Sequence, residues 1–233
     1  MTVIGVLGEL LITGGVLVLA FLGWQIWLGD IIMGAELNGE AHEITAEWQK
    51  GDSAQPVGAP DDPPVFAEPG NAERFGVMII PRFGDSYARP IAQGVGTWDV
   101  LNEGWVGHYP GTGMPGEVGN FSVASHRTTY GGNFHDVDDL RVGDHIYIET
   151  ADGWYSYEFR NLEYVYPTGV GVIDPVPQTL GVEATDRLIT LTSCNPLFSA
   201  AERIIAYGVF DRWYPRADGP PEEIADFVGQ GAG

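Results

Sequence analysis

Residues Ile146–Phe159 read IYIETADGWYSYEF, and the pattern of this stretch decides the fold class. β-branched and aromatic side chains recur on both sides of Asp152-Gly153, a dipeptide that favours the tight turn of a β-hairpin. Including both arms of the hairpin, the short β-rich segments of the chain are Phe75–Ile80, Gly119–Ala124, His145–Glu149, Trp154–Tyr166, Arg187–Thr192 and Arg203–Phe210. Turns and not long helices separate them. The pattern predicts an all-β domain over residues 75–215, folded as a closed β-barrel with short helices in its loops.

The composition agrees with such a domain and excludes nucleic-acid binding. A chain of 233 residues, 44% of them hydrophobic, can bury one ordinary core, and its 33 glycines and 16 prolines suit turns and short strands. The formal net charge is −21 and Lys50 is the only lysine, so the surface repels nucleic acid and lacks a basic patch for phosphate. We therefore expect a solvated acidic surface.

An apolar segment near the N-terminus predicts one transmembrane helix. Residues Leu10–Leu28 carry no charge, and the segment is long enough to cross a bilayer. Trp24 and Trp27 stand near its end, where indole rings favour the membrane interface. The run exceeds the core of about 7 to 15 residues of a signal peptide, so residues 1–33 are predicted as an uncleaved membrane anchor. A buried core helix and a cleaved signal peptide are the alternatives.

The segments on either side of the barrel are predicted to be less compact. Gly34–Lys50 suits a short polar helix, whereas the prolines between residues 51 and 73 prevent regular structure. Residues 34–74 are therefore predicted as a polar helix and a proline-rich tether that holds the barrel away from the membrane. Residues 216–233 are acidic and rich in glycine and proline, which predicts a flexible tail.

Cys194 is the only cysteine, so it serves either packing or chemistry and cannot form an internal disulfide. In RLITLTSCNP it stands at the end of a strand pattern, just before the turn at Asn195-Pro196, where a thiol can face a cleft. The thiolate is the nucleophile, and an unperturbed cysteine titrates near pH ~8.5, so catalysis needs a nearby base and a positive charge. A buried cysteine that only packs is the alternative.

His126 and Arg203 are the candidates for that base and that charge. GNFSVASHR presents His126 at the exit of a second strand, so the histidine and the cysteine can meet at one end of a barrel. On the residues alone, His108 and His135 remain rival histidines. Arg203 opens the strand after the cysteine, where its guanidinium can donate to an oxyanion or to substrate backbone. A surface ion pair with Glu202 or another of the many acids is the alternative for this arginine.

Four segments of the chain resemble the sortase family, in the family's order: GNFSVASHRTTYGG, LRVGD, RLITLTSCNP and AERIIAYGVF. That family carries its nucleophile in a T-L-x-T-C element, with a histidine after an earlier strand and an arginine on the strand after the cysteine. Position by position, the resemblance gives Cys194, His126 and Arg203 the catalytic roles. Ser193 departs from the threonine of the element but keeps a hydroxyl. IIPRFGDSYARPI and GHYPGTGMPG are similar to class E sortases of high-GC Gram-positive bacteria.

The resemblance implies a membrane-bound transpeptidase. The Cys194 thiolate attacks the Thr-Gly carbonyl of a C-terminal LAxTG- or LPxTG-like sorting motif on a secreted protein and forms a thioacyl enzyme. His126 as imidazolium protonates the leaving glycine amine, and Arg203 stabilises the oxyanion or aligns the motif. The amine of a peptidoglycan precursor of the lipid II type then resolves the thioacyl group. The domain is expected outside the cell, on a single-pass anchor in the cell membrane.

Two further expectations follow from the resemblance. Only the thiolate-imidazolium fraction is active, which implies slow turnover and a bell-shaped pH dependence. A cleft tyrosine goes with the alanine of LAxTG, and Tyr109 is the candidate for it, with Tyr130 as the competitor. Thr192 and Ser193, directly before the cysteine, complete the substrate-binding candidates. No cofactor and no metal are expected.

Other activities fit the sequence less well. Histidine and cysteine are nearly adjacent in L,D-transpeptidases, whereas His126 and Cys194 are far apart here. A serine hydrolase with a G-x-S-x-G elbow and a zinc enzyme with regular ligand spacing find no matching motif. The acids Asp136, Asp138 and Asp139 suit a solvated loop better than a calcium site. The non-enzymatic alternative is a membrane-tethered β-barrel binding module with an inert cysteine.

Overall fold

The computed structural model describes residues 3–24, 28–50 and 59–230. Within these ranges eight strands close into one barrel, in the spatial order β1-β2-β3-β4-β7-β8-β6-β5. The strands are β1 (Arg74–Ile79), β2 (Ala88–Gln93), β3 (Val106–His108), β4 (Gly119–Ala124), β5 (His145–Thr150), β6 (Gly153–Val165), β7 (Arg187–Asn195) and β8 (Glu202–Pro215). The α-helices are α1 (Val3–Gly23), α2 (Gly29–Lys50) and α3 (Ala225–Gln230). Short 3-10 helices lie at Pro81–Phe83, Leu101–Glu103, Val137–Asp139, Val170–Ile173, Arg216–Asp218 and Glu222–Ile224.

This architecture confirms the predicted fold class and adds two strands to it. Every β-rich segment of the sequence forms a strand, and β7 and β8 continue beyond their predicted ends. The sequence pattern does not predict β2 or β3. Pro90 interrupts β2 with a residue that has no backbone N–H to donate, and β3 has only 3 residues.

The main hydrophobic core fills the barrel and fixes the register of the strands. Phe121 and Val123 of β4 are buried in it. Ile189 and Leu191 of β7 are buried beside them. Because successive side chains of a strand point to opposite faces, a slip by one residue would turn these apolar groups outward. The core therefore determines where β4 and β7 end relative to each other.

Helix α1 has the properties that a membrane-spanning helix requires. None of its residues is buried, and it is the one helix of the described residues that is long and apolar enough to cross a membrane. It begins before the predicted apolar run, at Val3. Trp24 follows the helix and is 52% exposed. Trp27, the other predicted interface tryptophan, lies outside the described residues.

Helix α2 forms as predicted, but it packs on the barrel instead of forming part of a free tether. Its buried residues Leu37, Ala41 and Thr45 follow one another at intervals of four, so they form one face of the helix. Ala41 belongs to a second apolar cluster, which covers the outer face of β1, β2 and β5. The apolar stripe of this helix is narrow, so its sequence is typical of a polar helix.

The proline-rich segment also contacts the barrel where it is described. Residues 51–58 of the predicted tether lie outside the described residues. Beyond them, the Pro60 carbonyl accepts a hydrogen bond from the Trp213 backbone N–H at 2.9 Å, and the Pro64 carbonyl accepts one from the Tyr155 hydroxyl at 2.7 Å. Proline lacks an N–H but keeps a carbonyl acceptor, so a proline-rich segment can still be held in place.

The structure differs from the predicted flexible tail. Ile224, Phe227 and Val228 are buried in the second apolar cluster, and α3 contains the last two of them. Their spacing of three and four residues is that of one helix face, a signal that the acidic composition of residues 216–233 concealed. Residues 231–233 lie outside the described residues.

A buried ion pair connects the segments before and after the barrel to β5. Glu149 is fully buried, and its carboxylate accepts hydrogen bonds from Arg216 Nη2 at 2.8 Å and from the Thr45 hydroxyl at 2.7 Å. Burial raises the pKa of Glu149, and the Arg216 charge and the Thr45 hydroxyl oppose that rise. One carboxylate therefore joins α2, the barrel and the chain beyond β8.

We expect Arg216→Ala to lower the free energy of unfolding by about 3–5 kcal/mol, because it leaves the Glu149 charge buried without its partner. Since burial raises the pKa of Glu149, the native state takes up a proton as the pH falls, and the loss should be smaller at pH 5 than at pH 8. Chemical denaturation of the full chain in detergent micelles, followed by circular dichroism, measures both effects. The control is Arg212→Ala, which changes an exposed arginine of β8. Equal losses in the two variants would contradict the prediction.

Candidate active site

Three neighbouring strands bring Cys194, His126 and Arg203 together. β7 pairs with β8 in antiparallel fashion, and Cys194 lies directly opposite Arg203. Residues in such a position have Cβ atoms about 4.5–5.5 Å apart on the same face of the sheet. β7 also pairs with β4 in parallel, with Thr192 beside Ala124, so two residues further on His126 reaches the level of Cys194. The cysteine is therefore flanked by the histidine on one side and the arginine on the other.

The Cys194 thiol is partly exposed on the outer face of the barrel. Leu191 and Ser193 belong to the opposite, inward face of β7, because side chains alternate along a strand. Leu191 is fully buried, and Ser193 is 4% exposed with its hydroxyl donating to the Ser125 carbonyl at 2.8 Å. A partly exposed cysteine can reach a substrate. A cysteine that only packs in the core would not need this exposure.

His126 is held by contacts on two sides. Its Nε2 lies 3.0 Å from Asn102 Oδ1, and its ring stacks on the Tyr130 ring with centroids 5.2 Å apart at an interplanar angle of 30°. Because an amide oxygen only accepts hydrogen bonds, Nε2 is the donor in this contact. Burial lowers the pKa of His126, and the negative charge of Asp30 acts in the opposite direction.

Arg203 is oriented by backbone carbonyls. Its Nη1 donates to the carbonyls of Ala200 at 3.1 Å and of Glu202 at 2.9 Å. The Glu202 carboxylate instead accepts a hydrogen bond from Asn195 Nδ2 at 2.9 Å. The surface ion pair considered for Arg203 and Glu202 is therefore absent from the described contacts, and the guanidinium keeps donors for a substrate.

A groove beside the arginine, which we call the Arg203 groove, has a volume of about 90 Å³. The Tyr109 hydroxyl and the Thr192 hydroxyl lie 2.9 Å apart at its wall. Most of the remaining wall comes from the connection between β6 and β7. The residues that line the groove are Tyr109, Val165, Tyr166, Pro167, Gly169, Val170, Val172, Ile173, Thr192, Arg203 and Ile205. Its wall combines apolar side chains with one cation, Arg203.

The predicted substrate-binding residues fall into three groups. Tyr109 and Thr192 line the Arg203 groove. Tyr130 stacks on His126 and is not among the lining residues of that groove. Ser193 lies on the inward face of β7, where its hydroxyl donates to the Ser125 carbonyl, and it is not among the lining residues of the groove.

The rival histidines have structural surroundings. His108 is fully buried, with Nδ1 2.7 Å from Gln93 Oε1 and Nε2 3.1 Å from the Gly113 carbonyl, and burial lowers its pKa. The His135 side chain is 51% exposed and lies near Asp136.

Asn102 is the contact of the site that sequence reasoning missed. It lies on the 3-10 helix Leu101–Glu103, in the connection between β2 and β3, and its side chain orients the His126 imidazole. No motif marks this asparagine, and neither β2 nor β3 was predicted. Its role depends on a contact between distant segments that the sequence does not display.

The comparison with protein families decides the identity of the barrel. A model of the sortase domain matches residues 78–211, more than half of the chain, and this span contains Cys194, His126 and Arg203. The chain belongs to the sortase family. The resemblance drawn from the four segments is therefore confirmed, and the barrel of this sortase is the family's fold.

Class E sortases are among the close relatives of this sortase, in agreement with the resemblance to that class. Sortase SrtE1 of Streptomyces coelicolor is 35% identical over 224 residues, which cover 94% of this chain but 60% of that protein, so the chain spans less than two thirds of this relative. The SrtA sortase from Actinomyces oris has a TM-score of 0.65 at 39% identity, covering 69% of this chain and 92% of that one. Sortase E1 from Streptomyces coelicolor with a tripeptide in the active site has a TM-score of 0.61 at 35% identity, covering 66% and 97%.

We expect Asn102→Ala to lower the kcat of this sortase on a sorting-motif peptide by about 10-fold to 100-fold, because the imidazole loses the hydrogen bond that orients it. KM should change much less, since Asn102 does not line the Arg203 groove. Steady-state kinetics over a range of peptide concentrations separates the two constants. Glu103→Gln, an exposed neighbour on the same 3-10 helix, is the control. An unchanged kcat in Asn102→Ala would show that this contact does not orient the histidine for catalysis.

Proposed function

We propose that this sortase is a cysteine transpeptidase that cleaves a C-terminal LAxTG- or LPxTG-like sorting motif between threonine and glycine. It transfers the protein to the amine of a peptidoglycan precursor of the lipid II type. The observation that carries the proposal is the register of β4, β7 and β8, which flanks a partly exposed Cys194 with His126 and Arg203.

In the acylation step, the Cys194 thiolate attacks the carbonyl carbon of the motif's threonine. The electron pair of the carbonyl moves to oxygen, and the Arg203 guanidinium donates to this oxyanion or to the motif backbone. As the oxyanion collapses, the bond to the glycine nitrogen breaks, and the His126 imidazolium donates its proton to the leaving amine. A thioester on Cys194 and a neutral imidazole remain.

In the second step, the acceptor amine attacks the thioester carbonyl and the thiolate leaves. The neutral His126 imidazole takes the proton that the amine loses, which restores the thiolate-imidazolium pair. Both steps use the same groups in reverse order, so the site needs no cofactor.

The protonation states imply a bell-shaped pH dependence. Catalysis needs an imidazolium and a thiolate at the same time, and burial lowers the pKa of His126. Because an unperturbed thiol titrates at higher pH than an unperturbed imidazole, the activity of such a pair rises with the pKa of the imidazole and falls beyond that of the thiol. The active fraction is then small at every pH, and turnover is slow.

The Arg203 groove is the proposed binding place of the motif. Its wall carries Tyr109 and Thr192, whose hydroxyls bond to each other, and Arg203 at the end nearest the cysteine. The motif lies along the outer face of β7 and ends at the thiol. In this arrangement Tyr109 contacts the second residue of the motif, alanine or proline, and restricts the size of its side chain.

The membrane part of the proposal rests on α1, whose length and apolar surface suit a single-pass anchor. The catalytic barrel lies outside the cell, where secreted proteins and cell-wall precursors meet. Protein substrates that carry the C-terminal motif and the precursor amine are the proposed partners.

The test incubates the full chain, in detergent micelles, with an LAxTG peptide and measures its intact mass. The full chain is used because α2 and α3 bury apolar residues on the barrel. We expect a thioacyl adduct in the wild type, none in Cys194→Ala, and at least a 100-fold slower adduct in His126→Ala. The control for the histidine is His135→Ala, which changes an exposed imidazole.

Alkylation of Cys194 with iodoacetamide allows the absence of a peptide adduct to be interpreted. A wild type that is folded and alkylated at Cys194 but forms no adduct with LAxTG or LPxTG peptides would overturn the proposed substrate class. A native Cys194 that resists both reagents would instead support the binding-module alternative.

A further inference from the structure

The turn that follows His126 is held by a carboxylate from outside the barrel. Asp30 lies in the first turn of α2, and its Oδ2 accepts the Thr129 backbone N–H at 2.9 Å. Its Oδ1 accepts the Gly131 backbone N–H at 3.2 Å. One side chain therefore binds both ends of the turn Thr129–Gly131.

This turn needs outside support. Thr129 has φ 67° and Tyr130 has φ 49°, and L-residues with side chains of this size avoid that left-handed region. Two consecutive residues in this conformation persist only where the surroundings hold them. The carboxylate of Asp30 supplies two charge-assisted hydrogen bonds to the turn, which are stronger than neutral ones.

The turn Thr129–Gly131 also fixes one face of the His126 imidazole. Tyr130 is its central residue, and its ring stacks on His126. The other restraint on the imidazole is the bond from Nε2 to Asn102. Asp30 thus reaches His126 through one intermediate residue, and its charge is close enough to favour the charged imidazole.

We propose that Asp30 is a positioning residue of the transpeptidase reaction, which sets Tyr130 against His126 and stabilises the imidazolium through its charge. The inference rests on the proposed function. It assigns to the start of α2, a segment that sequence analysis placed in the anchor, a direct effect on the catalytic proton donor.

Other groups around the imidazole do not supply this charge. Ionisable side chains on the elements next to His126 include Asp30 of α2, Glu103 of the 3-10 helix, Tyr130 of its own turn, Cys194 of β7 and Arg203 of β8. His135 and Asp136 lie on the segment whose Phe134 backbone N–H donates to the His126 carbonyl. Of these charges, Asp30 is the one that raises the pKa of His126. Arg127, next to it in sequence, pairs with Asp138 at 2.8 Å. Glu103 is exposed, whereas Asp30 is bound to the same turn that carries the stacking tyrosine.

Removing the Asp30 charge changes the pKa of His126 in a defined direction. The imidazolium loses a stabilising neighbour, so the pKa of His126 falls further below its ordinary value. Because an unperturbed thiol titrates above an unperturbed imidazole, the acid limb of the pH profile moves down with the pKa of the imidazole. A shift of about half a unit reduces the thiolate-imidazolium fraction, and with it kcat, by roughly threefold. A loss of structure alone would lower the profile without moving its limb.

The experiment compares Asp30→Asn, Asp30→Ala and the control Glu36→Gln in the full chain in detergent micelles. Glu36 is an exposed acid of the same helix. NMR of carbon-13-labelled histidine follows the titration of the five histidines, and His126→Gln identifies the signal of interest. Kinetics with an LAxTG peptide then gives kcat and KM against pH.

For Asp30→Asn we expect the titration of His126 to move down by about half a pH unit, the acid limb of kcat to move with it, and KM to stay within about twofold. Asp30→Ala should give the same shift and broaden the His126 signal, because the turn also loses both hydrogen bonds. Glu36→Gln should match the wild type.

An unchanged His126 titration in Asp30→Asn would overturn the inference. So would a kcat profile that is lowered equally at every pH. The His126 titration is measured without substrate, so its result holds even if the LAxTG peptide is not a substrate. If Asp30→Asn is active and its His126 titration does not move, this inference is refuted and the proposed function is unaffected. Asp30→Asn keeps the size of the side chain and one acceptor oxygen, which keeps the comparison valid if Asp30→Ala does not fold.

Discussion

The parallel pairing of β4 with β7 is the constraint on which the site depends. Two parallel neighbours end at the same edge of a sheet, and they need a long connection between them. Here that connection contains β5 and β6, so segments far apart in sequence deliver His126 and Cys194 to one end of the barrel. The antiparallel return of β8 then places Arg203 opposite the cysteine. The relative positions of the three side chains are therefore set by strand pairing and not by the conformation of a single loop.

The register of this pair is fixed on both faces. On the inner face, the barrel core would be exposed by a slip of one residue. On the outer face, the Thr190 hydroxyl donates to Asn120 Oδ1 at 2.8 Å, and the Thr192 hydroxyl lies 3.2 Å from the Val123 carbonyl. Buried polar pairs of this kind tolerate only one alignment, because a slip would leave their donors and acceptors unsatisfied. The Thr192 hydroxyl also contacts the Tyr109 hydroxyl in the wall of the Arg203 groove. The contacts that fix the register of β4 and β7 therefore also position part of this wall.

The sequence predicts well what local pattern controls. Alternating and β-branched residues identify most of the strands, and the strand exits, with the family resemblance, point to Cys194, His126 and Arg203. The position of Ser193 was also readable, since alternation along β7 puts it on the face of Leu191.

Long-range contacts set the limit of the sequence prediction. β2 contains a proline and β3 is very short, so both depend on their partners in the barrel for their existence. The docking of α2 and α3 depends on a few apolar residues within acidic segments, which composition counts as solvent-exposed. Asn102 and Asp30 belong to no motif, and only the folded chain brings them to the histidine and its turn.

The docking of α2 also limits where the enzyme can work. With α1 in a bilayer, as proposed, the backbone from Gly23 to Asp30 can extend by no more than about 25 Å, and from Asp30 onward the chain is bound to the barrel. The catalytic end therefore explores a thin layer of solvent along the membrane surface. A partner confined to the same surface meets it at a high local concentration, whereas a freely diffusing peptide gains nothing from that confinement. Peptide kinetics in micelles thus describes the chemistry of the site, while confinement to a membrane adds a higher frequency of encounter with a confined partner.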